Sequence, residues 1–190
     1  MIEHLRPAFV LLGGLTLLTG VAYPLAITGV AQAVLPGAAG GSLVEVDGKV
    51  VGSALIGQNF TEAKWFHGRP SATSAAPYDA ANSSGSNLGP TSAKLIDRVK
   101  ADTETLKEES GAATVPVDAV TTSASGLDPH VSPAYARLQV KRIAAARHLT
   151  ADAVDALIAA HVAGRDLGFL GEPRVNVLEL NLALARLDPS

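Results

Sequence analysis

Apolar and polar positions divide this chain into two unlike parts. From Pro7 through Val44 no residue is charged, and Ala8–Leu35 reads AFVLLGGLTLLTGVAYPLAITGVAQAVL. Those 28 residues predict a helix of roughly 42 Å at about 1.5 Å per residue, against roughly 30 Å for a bilayer core. The segment is therefore long enough to span with some tilt. Gly13, Gly14, Gly20, Gly29 and Pro24 weaken a helix in water. In lipid they are tolerated, and small residues let a neighbouring helix approach closely. Two other readings stay open. Ala31-Gln32-Ala33 has the small-x-small form of a signal-peptide cleavage site, although the apolar run exceeds the usual 7–15 residues or so and MIEHLR sets one Arg against one Glu. A core helix this long and uncharged does not suit a domain of about 150 residues. A retained anchor is expected. Arg6 and the terminal amine lie on one side of it, with Lys49 their only counterpart within about 15 residues on the other. This asymmetry places the N-terminus in the cytoplasm and the rest of the chain outside.

Beyond the span the periodicity changes. Leu43, Val44, Val46, Val50 and Val51 flank Asp47-Gly48 and predict a two-residue hairpin. TSAKLIDRVKADTETLKEE predicts a helix with Leu95, Ile96, Val99 and Leu106 on one face, capped by Thr91 or Ser92 and stopped by Gly111. A strand is expected from Val117 to Thr122. SPAYARLQVKRIAAARHL predicts a helix with Ser132 at the N-cap, Pro133 at its first position and Leu138, Ile143 and Leu149 on its apolar side. The next helix runs from a Thr150 cap to Gly164. In PRVNVLELNLALARL a short strand turns into a helix near Asn176. The fold class expected is α/β: residues 1–7 as a short cytoplasmic terminus, one transmembrane helix over 8–35, and a mixed α/β extracytoplasmic domain over 36–190.

One stretch resists this reading. IGQNFTEAKWFHGRPSATSAAPYDAANSSGSNLG, Ile56 to Gly89, is linker-like in composition. Yet Phe60, Trp65, Phe66 and Tyr78 lie in it, half of the chain's eight aromatics, and aromatics need burial or a partner. Arg69 in His67-Gly68-Arg69-Pro70 either holds an anion or pairs with an acid of its own domain. Ser84-Gly85-Ser86-Asn87 either forms an anion-binding nest or a turn that satisfies its own amides.

Composition narrows the chemistry. The net charge is −3 and the pI about 5.9, so no basic field for nucleic acid exists. Without cysteine there is neither a disulfide nor a thiolate centre. No P-loop string occurs, and no G-x-G-x-x-G follows a strand. The histidines, at 4, 67, 130, 148 and 161, include no helical i, i+4 pair for a metal. TSASGLDPH gathers Ser123, Ser125, Asp128 and His130 within nine residues. A triad must converge in space rather than in sequence, however, and no G-x-S-x-G elbow is present. No catalytic, cofactor or metal residue is assigned, and a membrane-anchored hydrolase is the competing class.

Seven strings occur in order: LRPA leading into YPL, GSALIGQNF, FHGRPSA, SGSNLGPTS, VTTSASGLDPHVSP and VNVLELNLAL. Together they resemble the C subunits of Kdp-type potassium-transporting ATPases over nearly the whole length, least closely at 35–41 and 97–113. The resemblance implies a single-pass subunit of a bacterial inner-membrane complex. Its partners would be a channel-like potassium-binding subunit, a P-type ATP-hydrolysing subunit, a small stabilising subunit and membrane lipid. It implies an accessory role that supports assembly and raises the pump subunit's ATP affinity, with ATP held by that pump subunit. Accordingly, no D-K-T-G string is present here. The alternative is a purely structural cap over the outer mouth of the channel-like subunit. The partner-contact residues expected are Gln58, Asn59, Phe60, Phe66, His67, Arg69, Ser86, Asn87, Ser123, Ser125 and Asp128.

Overall fold

The computed structural model describes residues 2–187; Met1 and the last three residues of the expected 36–190 domain lie outside it. The chain divides into two compact units, Met1–Val51 and Gly52–Ser190.

In the first unit Leu5–Val34 forms a continuous 30-residue helical run. It consists of α1 (Leu5–Leu17), a π turn at Leu18–Ala22 and α2 (Tyr23–Val34). The π turn has a cause in the sequence. Pro24 offers no N–H to the Gly20 carbonyl, and its ring crowds that carbonyl. The helix widens in response: the Tyr23 N–H donates to Leu18 O, five residues back instead of four. None of the described side chains in α1, the π turn or α2 is buried within the chain. One turn, α3 (Pro36–Ala39), follows. The hairpin then forms as expected, from β1 (Leu43–Val46) and β2 (Lys49–Ser53). Asp47 and Gly48 both take positive φ, 51° and 73°, the requirement of a type I′ turn.

The second unit is mixed, with helices dominating a small antiparallel sheet. The sheet order is β3 (His130–Val131), β5 (Arg174–Asn176), β4 (Val162–Ala163). Val175, at its centre, pairs with Val131 on one side and Val162 on the other. The helices are α4 (Ala93–Ser110), α5 (Val117–Val120), α6 (Pro133–Leu138), α7 (Val140–Arg147), α8 (Ala151–Ala160) and α9 (Val177–Leu187). Val175, Ile143, Val154, Ile158, Leu180 and Leu184 are fully enclosed, and Phe66 from the loop joins them.

Several expectations hold locally. The Ser132 hydroxyl accepts from Tyr135 N–H at 3.0 Å, the Thr150 hydroxyl accepts from Ala153 N–H at 3.2 Å, and Gly111 ends α4 at φ 73°. Strand does turn into helix at Asn176, whose Oδ1 accepts from Glu179 N–H. Ser92 stands at the N-cap of α4, but its side chain makes no capping bond.

Other expectations are corrected. Val117–Thr122 is not a strand but the one-turn helix α5 and a short tail. Ala119 and Val120, adjacent in sequence, are both buried, unlike the in–out alternation of a strand with one solvated face. Asp118 is held by Ser132 N–H at 2.6 Å and Ser132 O–H at 2.9 Å. The long helix after Ser132 divides at Gln139, whose N–H donates three residues back to Ala136 O. The helix from Thr150 stops at Ala160 instead of Gly164, because Val162 enters the sheet against Val175. Ile96 points to solvent, and α4 buries no residue fully.

Candidate functional site

The stretch Ile56–Gly89 has almost no regular structure, so its backbone polar groups need partners from elsewhere. Two buried side-chain amides supply them. The Asn181 amide accepts from Phe66 N–H at 2.8 Å and donates to Phe66 O at 2.9 Å. Gln139 repeats the arrangement one residue on, accepting from His67 N–H at 2.7 Å and donating to His67 O at 3.1 Å. Helix α7 extends the clamp. Arg142 donates to Ala63 O, Trp65 O and Gln139 Oε1, while Arg147 donates to Lys64 O at 2.8 Å and stacks 4.4 Å from the Trp65 ring. The amides stand in for a neighbouring strand and hold Phe66 in the core.

A second group of contacts ties Gly68–Tyr78 to the TTSASGLD loop. Tyr78, at φ 62°, donates through its hydroxyl to Arg69 O at 2.7 Å. Its ring passes so close to Gly57, and its hydroxyl so close to Gly68, that a Cβ at either position would fall on it. Burial pushes the Tyr78 phenol up to about 12, so it stays protonated as a donor. Ser71 O–H donates to Gly126 O at 2.7 Å and Gly57 N–H donates to Leu127 O at 2.8 Å. Ser84 N–H donates to Ser125 O at 3.0 Å. Ser84-Gly85-Ser86-Asn87 thus lies across Ala124, whose backbone would meet any Cβ at Gly85.

Arg69 and Asp128 form the charged centre. Arg69 Nη1 donates to Asp128 Oδ2 at 2.8 Å, and its other nitrogens reach Thr121 O, Thr121 Oγ1 and Thr122 O. Of the two roles open to Arg69, the structure shows pairing with an acid of its own domain. Asp128 Oδ1 accepts from His130 N–H at 3.0 Å. Burial alone raises the Asp128 pKa; the hydrogen bonds from His130 and the Arg69 guanidinium outweigh it and hold it near 2. His67 is shifted the other way: burial and then Arg142 lower its pKa, with the Glu62 carbonyl opposing through a 3.1 Å hydrogen bond.

The expected contact residues distribute unevenly. Asn59, Phe60, His67 and Arg69 border one open groove of about 420 Å³. Arg69 and Asp128 border a second, of about 550 Å³, whose far wall is Gly171–Arg174. Gln58 is half-buried, close to Gly52. Ser86 is half-buried and Asn87 exposed at φ 52°. Phe66 is corrected: at 0% exposure it belongs to the core and offers no surface to a partner. Phe60 lies partly against that core, its ring centroid 6.2 Å from Trp65. Ser123 Oγ accepts from Gly126 N–H at 2.9 Å and Ser125 Oγ from Leu127 N–H at 3.1 Å. These hydroxyls shape the loop. Among the described residues no group of three or more His, Asp or Glu could hold a metal. Sequence reasoning missed Gln139, Arg142, Arg147 and Asn181. One signal was available: Asn181 is polar, yet stands four residues after Val177 on the buried face of α9.

Residues 5–186 match the family described as KdpC: K+-transporting ATPase, c chain. Proteins named potassium-transporting ATPase KdpC subunit from Methylobacterium nodulans and Bradyrhizobium diazoefficiens are 63% and 60% identical, with 98% of both chains covered in each case. The protein of that name from Rhodopseudomonas palustris is 60% identical, over 97% of this chain and 98% of its own. With the family match running from the first residue of the apolar helix into the last turn of α9, this chain belongs to the KdpC family.

Proposed function

We propose that this chain is a non-catalytic accessory subunit of a potassium-transporting P-type ATPase complex, anchored by Leu5–Val34 and placing Gly52–Ser190 on the extracytoplasmic side of the bacterial inner membrane. It supports assembly with a channel-like subunit, an ATP-hydrolysing subunit and a small stabilising subunit. It raises the ATP affinity of the hydrolysing subunit through the assembled complex instead of through a nucleotide site of its own. ATP is cytoplasmic, so a domain across the membrane acts on it only as a coupling free energy transmitted through protein.

The observation that carries this reading is what the motif residues do. Ser123, Ser125, Arg69, Asp128, Gly57 and Gly68 hold three loops together. Such a surface is preorganised, with its ordering entropy already met on folding, as a permanent subunit contact requires. A hydrolase would instead need a serine hydroxyl donating to an imidazole, whereas the Ser123 and Ser125 hydroxyls face each other at 3.3 Å while accepting from turn amides.

The test compares the complex assembled with and without the full-length chain. Removal is expected to raise the KM for ATP of potassium-stimulated hydrolysis or to reduce recovery of intact complex. The purified full-length chain in detergent is expected to show no saturable ATP binding by calorimetry. Saturable binding at millimolar ATP, competed by ADP, overturns the indirect mechanism. Unchanged turnover and recovery without the chain overturn the accessory role.

A further inference from the structure

Between β4 and β5 the chain forms an arm that the reading above leaves unused. Asp166 and Leu170 exchange N–H to O=C bonds of 2.9 Å in both directions, closing a three-residue turn, Leu167-Gly168-Phe169. The turn presents Leu167 at 83% exposure, Phe169 at 69% and Leu170 at 49%. Leu167 holds φ 53° and Gly168 φ 82°. A leucine in the left-handed region is strained, so this one is both strained and bare. The arm is not frayed, since two ion pairs brace its base: Arg165 with Glu172 at 2.7 Å and Arg174 with Asp166 at 3.5 Å.

We infer that the Leu167-Gly168-Phe169-Leu170 tip is a docking wedge that enters an uncharged apolar socket on another subunit of the same membrane complex. This rests on the accessory-subunit reading and gives it a contact that the expected residues did not include. Charge selects the kind of partner. Both arginines of the arm are paired with its own carboxylates, so the arm carries no net charge towards its target. An arm made for anionic headgroups would show unpaired Lys or Arg, with Trp or Tyr at the boundary; Arg165–Arg174 has neither aromatic. A bare Phe169 held on a closed turn, flanked by Leu167 and Leu170, matches instead a preorganised aromatic anchor that fills a pocket of a protein interface. The same arm walls the groove of Arg69 and Asp128 through Gly171–Arg174. An occupied wedge therefore continues into the surface already assigned to partners.

The experiment uses the full-length chain co-expressed with the other subunits and recovered through a tag on one of them. Leu167→Ser with Phe169→Ser is expected to lower recovery of this chain at least tenfold, while its Trp65 fluorescence unfolding curve in detergent stays unchanged. Phe169→Leu is expected to restore recovery to within about twofold. A photoreactive phenylalanine analogue at position 169 is expected to give an adduct with another subunit. An adduct with lipid only, with a second copy of this chain, or with nothing overturns the wedge, as does full recovery of the double variant. If the unmodified chain itself fails to co-purify, the accessory-subunit reading falls; if it co-purifies and the double variant does so equally, only the wedge falls.

Discussion

Tyr78 illustrates how single residues order a loop that lacks secondary structure. Its ring occupies space that two glycines leave open, and its hydroxyl donates to Arg69 O. Gly68→Ala should destabilise the domain by about 1–3 kcal/mol, the usual range for overpacking. Tyr78→Phe removes the atom nearest the new Cβ, so the double variant should lose less than the sum of the single losses. Gly57→Ala should show no such rescue, because its Cβ also meets Asp128 O at 2.7 Å. Denaturant midpoints read by Trp65, the sole tryptophan, check this; strict additivity for Gly68 and Tyr78 would refute it. Asp128 makes a second prediction. Its folded pKa, about 2, lies below the unfolded value of about 3.9. Its contribution is therefore complete above about pH 5 and is lost as pH falls through about 2. The gap corresponds to about 2.6 kcal/mol, cut to about 1–2 kcal/mol because Asp128 and Arg69 are partly exposed. Asp128→Asn should be less stable than the parent at pH 6 and nearly equal to it at pH 2; a constant difference would show that the pair has no such role.

At the scale of elements, stability is uneven. Helix α9 buries five residues, whereas α4 buries none and leaves Ile96 exposed. On α4, Arg98 also keeps Nε and Nη2 shielded without a hydrogen-bond partner among the described residues, although Nε lies 3.9 Å from the Asp102 carboxylate. Local opening free energy follows buried contact, so amides of Ala93–Ser110 should exchange with deuterium at least tenfold faster than those of Val177–Leu187. Equal protection in the full-length chain alone would contradict this. Faster exchange that slows in the assembled complex would locate a partner on α4. The elements also show where reading in one dimension works. Caps and turns depend on residues a few positions apart, so the Asp47-Gly48 turn, the Ser132 and Thr150 caps and the Gly111 stop were legible. Elements with a long-range cause were not: Val117–Thr122 is β-prone, but it forms a helical turn with Ala119 and Val120 packed in the core and Asp118 held by Ser132.

For the molecule as a whole, the prediction concerns the side of the membrane. The chain lacks cysteine, so one introduced at exposed Lys49 or Lys141 is a clean probe. Both should react with a membrane-impermeant maleimide in right-side-out sealed vesicles, and His4→Cys should not; the reverse pattern would place the domain in the cytoplasm and make direct nucleotide contact feasible. The span-length apolar run, the type I′ hairpin, the strand-to-helix change at Asn176 and the ordered family motifs were all determined by the sequence itself. Each depends on near neighbours or on composition: hydropathy summed over 30 residues, a glycine's free φ, a cap three residues from its amide. Tertiary structure alone decided that Phe66 is core and not contact surface, that Arg69 finds Asp128, and that the backbone of Phe66 and His67 is read by amides 115 and 72 residues away. It also decided that Leu167, Phe169 and Leu170, beyond the Gly164 at which a helix was expected to close, stand bare on an arm. In each case the deciding energy comes from burial and hydrogen bonds between segments distant in sequence, and spacing along one chain carries no record of which distant segment will cover a given side chain.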